Sequence, residues 1–147
     1  MDLAGFGLGV SLGGRVVAQD LAQSVARIDL HHHFFLTTPA AQKYWAGAPT
    51  PRPILQYTPS QSLDAIDQAG VKKAFLSSPL PFGDDRIENQ RDARAVARQT
   101  NELGARIVAD FRGRFGLFAV LPLPDVAASL QEIEYAFDTL KADGVVW

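Results

Sequence analysis

Residues 58–77, TPSQSLDAIDQAGVKKAFLS, decide how the fold is read. Thr58 suits a helix N-cap, Pro59 suits the first turn, and Gln61 stands where a capping box is closed. Leu63, Ile66 and Ala69 recur along one side of the helix that these residues begin. Gly70 is a natural stop for it. Val71 to Ser77 then reads as a strand, with Lys72-Lys73 at its start and Ala74-Phe75-Leu76 in its middle. A helix passed straight into a strand is half of a repeating unit, and the rest of the chain repeats it.

Upstream, Val25 to Leu30 is a short apolar-rich run that leads into His-His-His-Phe-Phe, again a strand by length and content. Between the two lies a loop with prolines at 39, 49, 51 and 53. Downstream, Ser78 to Asp85 reads as a loop and Ile87 to Phe111 as a long helix. Its stripe is Val96, Thr100, Leu103, Ile107 and Phe111. Phe115 to Leu121 forms the next strand. Asp125 caps a helix whose expected core stripe is Val126, Leu130, Ile133, Phe137 and Leu140. Gly144 ends that helix, and Val145-Val146-Trp147 begins a further strand. The order β-α-β-α-β-α-β means an α/β protein with a parallel sheet. No glycine-rich phosphate loop follows the first strand, which argues against a dinucleotide-binding open sheet. A (β/α)8 TIM barrel takes about 250 residues. The chain has 147 and its last residues read as a strand, so the expectation is a partial barrel, its first three to four β/α units.

Bulk properties narrow the chemistry. With 47% hydrophobic and 20% charged residues and a net charge of −2, nothing advertises a nucleic-acid partner or an anionic membrane. The absence of cysteine excludes disulfides, thiolate metal sites and a cysteine nucleophile. Leu3 to Leu12 is apolar and glycine-rich but far shorter than the roughly 20 residues of a membrane span. It has the character of an export-signal core, with a cleavage region near Val16-Val17-Ala18-Gln19, although Asp2 lacks the positive charge of such signals. Residues 1–24 are therefore set apart as an N-terminal arm, a signal remnant or a loose tail, and localisation is left as cytoplasmic or exported. Residues 25–147 are expected to form the barrel segment.

The chemistry sits at the end of the first strand. Asp29, His31 and His33 alternate, so they share one face, while Ile28, Leu30 and His32 take the other. Barrel interiors are normally filled by branched apolar side chains. Several ionisable groups there are costly without compensation. A divalent metal, with bonds of about 2.0–2.1 Å to imidazole if it is zinc, satisfies both His31 and His33. Asp29, one step deeper, is placed to orient a ligand. His32 is assigned no function, and its replacement is expected to matter little. Spacing alone leaves a pair of surface histidines equally open.

The segment Ile-Asp-Leu-His-His-His-Phe, 28–34, resembles the Asp-x-His-x-His strand that opens barrels of the amidohydrolase superfamily. Residues 58–77, Asn101-Glu102, Gly113-Arg114-Phe115, Leu121-Pro122-Leu123-Pro124-Asp125 and Gly144-Val145 continue the likeness in order. They resemble the branch that includes aminocarboxymuconate-semialdehyde and 6-methylsalicylate decarboxylases. That resemblance implies one divalent metal, zinc by expectation, held by His31 and His33. It implies non-oxidative decarboxylation of a small unsaturated or aromatic carboxylic acid. The alternatives are metal-dependent hydrolysis of an amide, ester or lactone, and a truncated product without catalysis. The family completes its site with a further histidine, an aspartate and a catalytic histidine, and none can be placed here, so this segment alone is expected to be inactive.

Trp45, beside Tyr44, lies in the loop after the first strand and is a candidate substrate contact. So is Phe82, with Asp84, after the second. Arg52 is a weaker candidate for a substrate carboxylate. Asn101 and Arg114 read as structural, and Glu132 and Glu134 as a solvated helix face. Oligomeric state is left open.

Overall fold

A computed structural model describes residues 26–37, 56–79 and 90–146. The N-terminal arm and Tyr44, Trp45, Arg52, Phe82 and Asp84 lie outside the described residues. Seven elements follow in the expected order: β1 (Arg27–His33), α1 (Pro59–Gln68), β2 (Val71–Ser77), α2 (Gln90–Asp110), β3 (Phe115–Val120), α3 (Val126–Asp138) and β4 (Gly144–Val146). The strands form one sheet in the order β1-β2-β3-β4. Every neighbouring pair is parallel: Asp29 lies opposite Ala74, Ala74 opposite Phe115, and Phe118 opposite Gly144. Parallel neighbours joined in sequence order by helices are the opening units of a (β/α)8 barrel, so the partial barrel read from the sequence is the observed fold.

Local chemistry sets the element ends. Gln61 Oε1 accepts the Thr58 backbone N–H at 2.9 Å, as the capping reading requires. Gly70 follows α1 at φ +64°, a left-handed conformation that glycine adopts without strain. The carboxylate of Asp125 accepts the Ala128 N–H at 3.0 Å and caps α3.

The core lies between the helices and one face of the sheet. Phe34, Ala74, Leu76, Phe115, Leu117 and Ala119 pack there with Ile66 of α1 and Ile107 of α2. Period-two alternation turns Lys73, Phe75 and Phe118 to the other face. Phe75 and Phe118 stack there with ring centroids 5.0 Å apart. Gly116 sits beneath Phe75, since a Cβ added at Gly116 would lie 2.6 Å from that ring.

Three expectations for α3 are corrected. The helix stops at Asp138 with Thr139 as its C-cap, and Gly144 opens β4 and does not close the helix. Its apolar stripe does not face the core: Val126, Leu130 and Phe137 are 65%, 59% and 41% exposed. The helix instead buries Ala128, Ser129, Glu132 and Ala136. Glu132, read as solvated, is 4% exposed. The physical reason is compensation. Glu132 accepts from Asn101 Nδ2 at 2.8 Å and from Arg98 Nε at 2.9 Å. Small neighbours on the same face let the helix come close. Asn101 in turn behaves as a piece of strand: its amide donates to the Val120 carbonyl at 2.9 Å and accepts the Val120 N–H at 2.8 Å. It is a structural residue, as expected. So is Arg114, whose guanidinium holds the Lys72 carbonyl at 3.1 Å and the carboxylate of Asp67.

Candidate metal centre

β1 brings its histidines to the C-terminal end of the sheet, where His33 lies opposite Ser77, the last residue of β2. His31 and His33 are both exposed. Their Nε2 atoms converge to 2.8 Å, with ring centroids 4.7 Å apart. Phe35 packs edge-on to the His33 ring, centroids 6.3 Å apart. Partial burial holds the His33 ring below the usual histidine range, and the nearby His31 and His32 add to this. A ring that sheds its proton readily presents a bare nitrogen lone pair, the form in which imidazole binds a metal.

The donor chemistry fits a divalent ion. The Nε2 atoms of His31 and His33 stand 2.8 Å apart, and these two imidazoles would supply nitrogen donors to such an ion. They supply only part of a coordination shell. Among the described residues no group of three or more His, Asp and Glu side chains is arranged to hold a metal.

Asp29 is bonded to two neighbours on its own strand. One carboxylate oxygen accepts the His31 backbone N–H at 3.0 Å, and the other meets His32 Nδ1 at 3.1 Å. These contacts hold the carboxyl below the usual carboxylate range, the His31 N–H first among them. Strict alternation puts Asp29 and His32 on opposite faces, but the β1–β2 register is irregular between them. The His32 side chain is 17% exposed and turns to α1, where Nε2 lies 2.9 Å from Ser62 Oγ. The Tyr57 hydroxyl closes on that same oxygen at 3.0 Å. Sequence reasoning missed His32, Ser62 and Tyr57. One signal was available: Ser62 stands one turn before Ile66, on the buried side of α1, where a hydroxyl needs a partner.

No family model matches the chain. Decarboxylase yanB of Aspergillus niger is 36% identical over 125 residues, 81% of this chain and 33% of its own length. The 6-methylsalicylic acid decarboxylase of Penicillium expansum is 38% identical over 82% of this chain and 38% of its own length. Among solved structures, an amidohydrolase II superposes with a TM-score of 0.70 at 21% identity, over 82% of this chain and 39% of that one. The sequence relatives of this chain are decarboxylases, and its fold is shared with solved amidohydrolase and decarboxylase structures. A dihydroxybenzoic acid decarboxylase from Polaromonas, solved with bound manganese, superposes at 0.65 with 23% identity, over 82% of this chain and 37% of that one. The chain thus spans little more than a third of the length of these decarboxylases.

Proposed function

We propose that this chain carries the metal-holding first strand of a metal-dependent, non-oxidative decarboxylase that acts on a small aromatic carboxylic acid. The observation that carries the reading is the convergence of His31 and His33 Nε2 at 2.8 Å, at the C-terminal end of a barrel strand. That end is where barrel enzymes place their chemistry. Relatives that are decarboxylases of 6-methylsalicylic acid support decarboxylation over hydrolysis.

His31 and His33 would hold the ion, and the ion would supply positive charge to polarise substrate oxygens. Nitrogen donors suit zinc, whereas a decarboxylase of this fold holds manganese, so both metals belong in the test. The chain's own residues fix the donors: the strand ladder sets their spacing and Phe35 backs the His33 ring. In the overall reaction the ring–carboxylate bond breaks, its electron pair stays on the ring carbon, and a proton takes the place of CO2. No oxidant is consumed.

The test is made on the protein expressed from its complete gene. A 6-methylsalicylate labelled in its carboxyl group should release labelled CO2 without oxygen or a redox cofactor. Release should stop on chelation and return with zinc or manganese. His31→Ala should lower it by about a hundredfold or more, since even groups behind the ligands are worth roughly ten- to a hundredfold. Release that persists at the wild-type rate in His31→Ala, or after chelation, would defeat the proposal.

A further inference from the structure

Asp29, His32, Ser62 and Tyr57 form a continuous hydrogen-bonded chain on the helix side of β1. The links are 3.1 Å from Asp29 to His32 Nδ1, 2.9 Å from His32 Nε2 to Ser62 Oγ, and 3.0 Å from Ser62 Oγ to the Tyr57 hydroxyl. The first three groups are ordered like a serine–histidine–carboxylate triad. They are not built for attack. Ser62 is 4% exposed, and its oxygen is already engaged by both His32 and Tyr57.

Proton counting gives the chain a direction. A carboxylate can only accept, so His32 Nδ1 donates to Asp29. With one proton on the ring, Nε2 accepts, which turns the Ser62 hydroxyl proton towards His32. The Ser62 oxygen is left to accept from Tyr57. Each hydrogen has one place, and the His32 ring is held at both ends.

That clamp falls where the strand needs one. The β1–β2 register is irregular between Asp29 and His32. The same stretch carries His31, whose backbone N–H bonds the other Asp29 oxygen. Tyr57 is tied to the histidine pair a second way: its ring packs edge-on to Phe35 at 5.7 Å, and Phe35 packs edge-on to His33 at 6.3 Å. We propose that Tyr57, Ser62, His32 and Asp29 are a positioning device that fixes the twist of β1, so that the flanking His31 and His33 rings converge on the opposite face. As an account of a metal centre, this rests on the reading of His31 and His33 as ligands. The device itself acts in the metal-free chain.

The experiment uses the full chain and two readouts. One is the affinity for Zn2+ and for Mn2+. The other is the set of ring resonances of His31 and His33 in metal-free protein. The variants are Tyr57→Phe, which removes one hydroxyl, Ser62→Ala, and two replacements of His32. His32→Asn keeps a donor near the Nδ1 position for Asp29, and His32→Gln keeps a polar atom near Nε2 for Ser62. Glu132→Gln, distant in the fold, controls for general destabilisation. The expected result is that Ser62→Ala shifts both flanking ring signals and weakens metal binding by about tenfold, a 1.4 kcal/mol effect. Tyr57→Phe should do the same more weakly, and each His32 variant should lose part. Glu132→Gln should lower the melting temperature and leave ring signals and affinity unchanged. If wild type binds no metal while Ser62→Ala still moves both rings, the ligand reading fails and the positioning device stands. If wild type binds metal and Ser62→Ala changes neither rings nor affinity, the device is overturned and the ligand reading stands.

Discussion

Adjacent histidines in β1 do different work because a strand sends alternate side chains to opposite faces. His31 and His33 meet each other on the face away from the helices, and His32 is bonded at both ring nitrogens on the helix side. The same dependence on local partners governs Asp125. The Ala128 N–H, and after it the Arg94 side chain, hold the Asp125 carboxyl below the usual carboxylate range. A group depressed in the folded state stabilises above its unfolded value, and that contribution is lost as pH falls through the folded one. Asp125→Asn should therefore lower the thermal midpoint at neutral pH, and the gap to wild type should close as the carboxylate is protonated in acid. Melting curves across pH check this, and a gap that stays constant into acid would contradict it. The meeting of His31 and His33 on one face was legible in the sequence because period two is a rule of strands. The partners of Asp29 were not, because a register irregularity is invisible to periodicity.

At the scale of elements, α3 separates what a pattern tells from what it cannot. Its apolar residues recur at helical spacing, and that much of the reading was sound. Periodicity does not say which side of a helix meets the sheet, however. Here small residues and Glu132 take the buried side, because Arg98 and Asn101 supply donors to the carboxylate. In α2 the pattern and the packing agree: Val96, Thr100 and Ile107 are buried as expected. The contrast gives a prediction that reverses ordinary intuition about core and surface. Leu130→Gln and Phe137→Gln, at positions 59% and 41% exposed, should each change stability by no more than about 0.5 kcal/mol. Glu132→Ala should cost about 1–3 kcal/mol, because it strips a buried partner from Asn101 and Arg98. Urea unfolding of the three variants decides the matter, and a larger loss from either glutamine variant than from Glu132→Ala would show that α3 packs the other way round.

For the whole molecule, helix caps and apolar strands were enough to read a parallel βα array and to set it apart from a nucleotide-binding sheet. The caps at Thr58 and Asp125 and the turn at Gly70 stand where they were read. The array carries two converging histidines on one strand, in a chain that spans little more than a third of the length of its decarboxylase relatives. Candidate substrate contacts Trp45 and Phe82 lie outside the described residues, so the account stands on the histidine pair. Calorimetric titration of the chain with Zn2+ and Mn2+, in wild type, His31→Ala, His33→Ala and the double variant, tests it most directly. The account predicts uptake by wild type of at least one of these ions, greatly weakened in each single variant and no weaker still in the double, because both rings bind the same ion. Equal uptake in all four proteins, or losses that simply add, would contradict it.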